Sequence, residues 1–173
     1  MDSQIRMVFI LEISIFSFLL LAGMSSCYSF RGVSISPDVS TFFIDDFELT
    51  APNAPVTLNQ DFSEALRDKI RRETRLSLIE VDPDLIFGGS ITTYNVTALD
   101  PVVGERTALN RLTIGIRVKY ESMKDKEDNW QQNFSFFNDF SADQNLADIE
   151  NQLIETIFEQ ITEDIFNRAF SNW

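Results

Sequence analysis

Leu112-Thr113-Ile114-Gly115-Ile116-Arg117-Val118-Lys119-Tyr120 is the stretch whose reading decides the fold. Leu112, Ile114, Ile116, Val118 and Tyr120 fall on every second position, with Arg111, Thr113, Arg117 and Lys119 between them. A period of two sends alternate side chains to opposite faces of a strand, so one face is buried and the other is polar and cationic. The pattern extends from Ala108 to Ser122. A sheet built on such a strand needs cover on one side, and amphipathic helices are what the rest of the chain offers.

Two helices are expected. Thr57, followed three residues on by Gln60, has the spacing of a capping box. After it Leu58, Phe62, Ala65, Leu66 and Ile70 recur at helical spacing as one apolar stripe. Arg67, Lys69, Arg71, Arg72 and Arg75 gather toward its end and suit the negative pole of the helix dipole; with Asp68 and Glu73 interleaved, they read as a solvated face. The second helix spans Leu146 to Phe170, with Asn145 as cap, a stripe of Leu146, Ile149, Leu153, Ile157, Ile161 and Ile165, and an acidic outer face.

The other strands follow from alternation and breakers. Val39 to Leu49 reads as one strand, ended by Ala51-Pro52-Asn53-Ala54-Pro55. Leu76 to Val81 is a short strand closed by the turn Asp82-Pro83-Asp84, whose carboxylates read as turn or surface charges. Leu85 to Leu99 is a longer strand whose apolar phase shifts between Ile91 and Tyr94, which predicts a bulge near Thr92 and Thr93. Leu99 to Thr107 is a loop, Lys124 to Asn129 a charged hairpin tip, and Trp130 to Phe137 a returning strand. The order β-α-β-β-β-α predicts an α+β fold, a two-layer sandwich with two helices on one face of a mixed sheet. The first strand, helix and second strand form a crossover unit and the later strands an antiparallel meander.

Composition narrows the function. The chain of 173 residues has no histidine and one cysteine, Cys27, so the commonest general base, Cys/His metal sites and an intramolecular disulfide are excluded. Paired acids for a carboxylate-only hydrolase are not suggested by any spacing, and the chain reads as no enzyme, without metal or other cofactor. From Cys27 onward there are 13 basic and 25 acidic residues, which speaks against nucleic acid as a partner.

The amino terminus is organised as a secretory signal. Arg6 precedes an apolar run from Val8 to Leu21, too short to span a bilayer, and small residues Gly23, Ser25 and Ser26 lead to Cys27. Residues 1–26 are therefore expected to be a lipoprotein signal peptide, residues 27–38 a lipidated tether and residues 39–173 a single domain. Cys27 is the lipidation site, carrying acyl chains such as palmitate. Glu12 inside the apolar run and Met24 near the processing point depart from the usual pattern, and an uncleaved anchor with a free thiol is the alternative.

Four segments together resemble the LptE family of lipopolysaccharide-assembly lipoproteins. They are Cys27-Tyr28-Ser29-Phe30-Arg31-Gly32, the run Thr57-Leu58-Asn59-Gln60-Asp61-Phe62-Ser63-Glu64-Ala65-Leu66, then Ala108-Leu109-Asn110-Arg111-Leu112-Thr113-Ile114, and Glu163-Asp164-Ile165-Phe166-Asn167-Arg168-Ala169 with Asn172-Trp173. The resemblance implies an α+β lipoprotein held by its lipid on the periplasmic side of the cell outer membrane. There it would plug the LptD β-barrel, assist that barrel's assembly and form a non-catalytic subunit of the lipopolysaccharide transport translocon. Arg106, Arg111, Arg117 and Lys119 are the candidate contacts for lipopolysaccharide phosphates or the partner, since arginine can grip a phosphate with two hydrogen bonds; acidic groups on neighbouring strands are the competing partners. A stand-alone periplasmic lipoprotein binding an amphiphile is the other function considered.

Overall fold

The structure, a computed structural model, describes residues 35–100 and 108–171. The segments expected to be signal peptide and, for the most part, tether, with Cys27, and also Arg106 lie outside the described residues. Strand β1 (Thr41–Ile44) is followed by β2 (Glu48–Leu49), helix α1 (Leu58–Glu73), β3 (Ser77–Leu78), β4 (Leu85–Ala98), β5 (Leu109–Ser122), β6 (Trp130–Ser141) and helix α2 (Leu146–Phe170). The sheet order is β3-β1-β4-β5-β6, with β2 also on β4; β1 runs parallel to β3 and β4, while β4, β5 and β6 form an antiparallel meander. With β1 and β2 counted as one interrupted strand the order is β-α-β-β-β-β-α, which is the expected β-α-β-β-β-α once the two-residue β3 is set aside, and the architecture is the expected α+β one.

One apolar side holds the core. Leu112, Ile114, Ile116 and Val118 of β5 are fully buried, as are Phe42, Phe87 and Ile91 on the strands beside them and Leu58, Phe62, Leu66, Ile70, Ile157, Ile161 and Ile165 on the helices. Aromatic rings fill the space between layers in two chains. Phe47, Phe62 and Phe158 meet edge to face at 4.9 and 5.2 Å, joining the β1–β2 break to both helices. Trp130 stacks on Tyr120, which meets Phe87 at 5.1 Å, which in turn reaches Phe170. Edge-to-face and offset contacts of this kind add to the burial of apolar area.

Several local expectations change. The single strand over 39–49 is broken at Asp45-Asp46-Phe47 because Phe47, almost wholly buried, turns inward against Gly89. Gly89 has φ +148°, and a Cβ there would lie 1.9 Å from the Arg117 carbonyl oxygen and 3.2 Å from the Phe47 ring. The capping box does not form: the Thr57 hydroxyl donates to Asp61 at 3.0 Å instead of accepting from the helix backbone. Asn145 does cap α2, accepting from the Ala147 N–H at 3.3 Å. The strand expected over 76–81 shrinks to two residues, and β6 runs on to Ser141. The bulge falls where the phase shift put it, between Ile91 and Thr93, with Thr92 donating to the Gly115 carbonyl at 3.2 Å.

Asp84 is not a surface charge. Its carboxylate accepts from the backbone N–H groups of Ser40 and Thr41 at 2.9 and 3.0 Å and from both their hydroxyls, while its other oxygen meets Lys124 at 3.1 Å. Its own N–H donates to Thr41 and its carbonyl accepts from the Met123 N–H. Asp82, at φ 50°, makes the turn that delivers it, in the left-handed region that Asp tolerates better than most residues. One buried carboxylate thus ties the start of β1 to the start of β4 and the end of β5. The Ser40 N–H leads the contacts that hold its pKa well below the usual carboxylate range.

Two outcomes follow. Gly89→Ala forces a methyl into the Arg117 carbonyl and strains the backbone, and should cost at least about 2 kcal/mol by urea denaturation. Asp84 carries a lowered folded pKa, so its contribution is complete above the ordinary value of 3.8 and fades as pH falls below it. Asp84→Asn should be less stable than wild type at pH 7, with the difference shrinking below pH about 4. A constant difference down to pH about 2 would contradict this role.

Candidate functional site

The long strands β4, β5 and β6 turn their second face away from the helices. β4 carries no charged residue at all, β5 carries Arg111, Arg117, Lys119 and Glu121, and β6 carries Asp139. Around them stand short polar side chains: Ser90, Asn95 and Thr97 on β4, Thr113 on β5, Gln131, Asn133 and Ser135 on β6. The three strands hold three cations against two anions in a chain of net charge −13. The surplus of acids sits on the helix layer, where α2 alone has Asp148, Glu150, Glu155, Glu159, Glu163 and Asp164 against Arg168. The sheet face and the helix face therefore differ in sign of local charge, and the sheet face is the one open to an anionic or neutral polar partner.

The three described candidate cations are not equivalent. Arg111 stands opposite Asp139 and grips it with two bonds, Nε to Oδ1 at 2.7 Å and Nη2 to Oδ2 at 2.9 Å, while its guanidinium lies 3.6 Å over the Phe137 ring. Each partner moves the other: Asp139 raises the Arg111 pKa and Arg111 lowers that of Asp139. Arg117 is exposed and meets an amide, Asn133, at 3.3 Å, with no carboxylate partner among the described residues. Lys119, also exposed, reaches Glu121 on its own strand at 3.0 Å. Six residues of strand separate Arg111 from Arg117, about 20 Å, so Arg117 and Lys119 form one pair and Arg111 stands apart. Arg106 falls in the connection from β4 to β5.

Other features had no clear sign in the sequence. Phe137 points to the polar face and supports Arg111, although a Phe in a strand reads as core. The basic end of α1 is partly spent inside the fold: Lys69 pairs with Glu73 and with Glu163 of α2 and lies 5.3 Å from the Phe166 ring. Burial pulls the Lys69 pKa down, but the two carboxylates outweigh it and leave it raised. Arg75 donates to the Ser36 carbonyl at 3.0 Å and so fixes the chain where it enters the domain. An open groove of about 590 Å³ between the helices has a floor of Ala65, Ile154 and Phe158 and walls that include Asp61, Asp68, Glu155 and Glu159. Tyr94 donates to Glu150, and burial first, then that carboxylate, raises its pKa. Among the described residues no group of three or more Cys, Asp or Glu side chains could hold a metal ion, and no helix is long and apolar enough to cross a membrane.

The model of the family described as LptE, lipopolysaccharide-assembly, matches residues 40–169. No curated protein matches the sequence. Among solved structures, protein XCC0632 from Xanthomonas campestris is similar with a TM-score of 0.51 at 9% identity, over 80% of this chain and 90% of that one. Protein CT253 from Chlamydia trachomatis gives 0.47 at 12% identity, over 78% and 99%. The rare lipoprotein B from Shewanella oneidensis gives 0.44 at 9% identity, over 73% and 89%. At such identities the likeness to the Xanthomonas protein is one of fold alone.

Because Arg111 and Asp139 act as a unit, Arg111→Gln and Asp139→Asn should each lower the urea midpoint and the double substitution should cost less than their sum. Arg117→Gln, which breaks only a bond to an amide, should leave the midpoint nearly unchanged. Strictly additive losses at 111 and 139 would show the pair to be incidental.

Proposed function

Because the chain belongs to the LptE lipopolysaccharide-assembly family, which covers residues 40–169, we propose that it is a lipid-anchored subunit of the outer-membrane lipopolysaccharide translocon. It works by fitting against an LptD-like β-barrel and by helping that barrel assemble. In this reading residues 1–26 are removed as a signal peptide and Cys27 receives acyl chains. Residues 27–38 tether the domain, which works on the periplasmic side of the membrane and makes and breaks no bonds. Two or more acyl chains give firm anchoring where one would be marginal.

The family match is the observation that carries this reading, and the segregation of charge supports it. A barrel lumen is polar and wet, and the face made by β4, β5 and β6 is lined by hydroxyls, amides and cations. Arg117 and Lys119, and separately Arg106 from the sequence that leads into the Arg111 end of β5, are the residues proposed to contact phosphate or the barrel wall. Arg111 belongs to the same face, but a phosphate reaching it must displace Asp139. A stand-alone carrier of an amphiphile would need an apolar cavity between helices and sheet, and in the described core Phe47, Phe62, Phe87, Phe158 and Phe170 occupy that space.

Affinity isolation of the tagged full chain from detergent-solubilised membranes tests the proposal. A large β-barrel protein should co-purify, and its level should fall when the chain is depleted. Cys27→Ala should lose fatty-acid labelling and leave the membrane fraction. Arg117→Glu with Lys119→Glu should keep the fold but recover less barrel or less lipopolysaccharide. Recovery of the chain without any barrel protein would end the proposal.

A further inference from the structure

β6 ends the sheet, and among the described residues no strand pairs with its outer edge. In an antiparallel pair alternate residues turn their N–H and C=O away from the neighbour, so this 12-residue strand presents a long row of open hydrogen-bonding positions. Sheet edges of this kind are normally blunted by Lys, Pro, a bulge or a covering element. β6 has no Lys, Arg, Pro or Gly, and its register against β5 runs from Trp130 to Ser141 without a shift. Its one charge, Asp139, is held by Arg111. At mid-strand the rings of Phe136 and Phe137 stack at 5.8 Å and 18°. Phe137, on the open face beneath the Arg111 guanidinium, remains 43% exposed.

We propose that β6 is a docking edge, on which an extended segment of the partner protein adds as a further strand of the sheet. The chemistry of the edge selects the occupant. Its helix-side row is mostly apolar, with Trp130, Phe134, Phe136 and Phe140 alongside Gln132 and Asn138, and its open row is mostly polar, with Gln131, Asn133, Ser135 and Asp139 alongside Phe137, so a matching strand broadly alternates apolar and polar residues. That alternation is the pattern of a membrane-barrel strand. A second copy of this chain fits poorly, because edge-to-edge pairing would bring the acidic α2 of each copy beside the other. The identity of the partner rests on the proposed function; the pairing edge rests on β6 itself. A closed barrel has no free edge, so the strand is one presented before closure, which gives a physical form to assistance in barrel assembly.

Hydrogen exchange on the full lipidated chain in detergent tests this. The probe is a 12-residue peptide alternating Val and Thr with Lys at both ends, N-methylated along one edge so that it cannot pair with itself. Saturating peptide should slow alternate β6 amides roughly tenfold or more, while a scrambled peptide should not. Gln132→Lys with Asn138→Lys should abolish the protection and lower barrel recovery. Peptide that leaves β6 exchange unchanged overturns the docking edge, as does protection that grows with protein concentration alone and so assigns the edge to a second copy. Isolation that recovers the barrel equally with the Lys variant removes the edge and spares the proposed function, whereas isolation that recovers no barrel removes both.

Discussion

The apolar face of β5 can leave water only if something is laid across it, and α1 and α2 are what lies there. Everything else in the arrangement follows from covering one face and not the other. The buried residues of β5 sit between flanking strands and beneath both helices, and their alternation leaves Arg111, Arg117 and Lys119 on the uncovered side. The acids, which could not be buried without partners, are displaced to the outer surface of the helices. A chain of strongly negative net charge thus acquires one face that is close to neutral.

The parallel and antiparallel halves of the sheet are joined at a different point. β3 and β4 flank β1 on either side and run the same way, so the chain must pass the start of β1 between them. Asp84 stands at that passage and satisfies the first backbone donors of β1 while its own backbone bonds to β1 and to the end of β5. A buried charge is costly unless hydrogen bonds and an opposite charge surround it, and here both are present. The same economy is visible at Lys69, whose charge links the two helices over an aromatic ring.

Much of the fold was legible because its signals are local. Period-two and period-3.6 patterns marked the strands and helices, the phase change in β4 marked the bulge at Thr92, and Asn145 marked the start of α2. The departures arose where a competing partner, in one case a near neighbour and in another a distant residue, overrode a local cue. Thr57 and Gln60 have capping-box spacing, but the Thr57 hydroxyl was taken by Asp61. Val39 to Leu49 alternates like one strand, yet the space above Gly89 drew Phe47 inward and split it. For the candidate site, sequence placed Arg111, Arg117 and Lys119 on one face but could not tell a free cation from one gripped by Asp139, because that depends on the register of β6 against β5.

Sequence alone determined what can be read within a few turns of chain: which faces are apolar, where backbones must break, that no histidine is available, and that the only thiol follows an apolar run. Tertiary structure decided which carboxylates are buried, which cations are already spent, and which strand is left at the edge. Those outcomes are set by residues tens of positions apart, as with Asp84 and Ser40 or Arg111 and Asp139. No local pattern encodes them, because the energy of a charge is fixed by its neighbours in space and not by its neighbours in the chain.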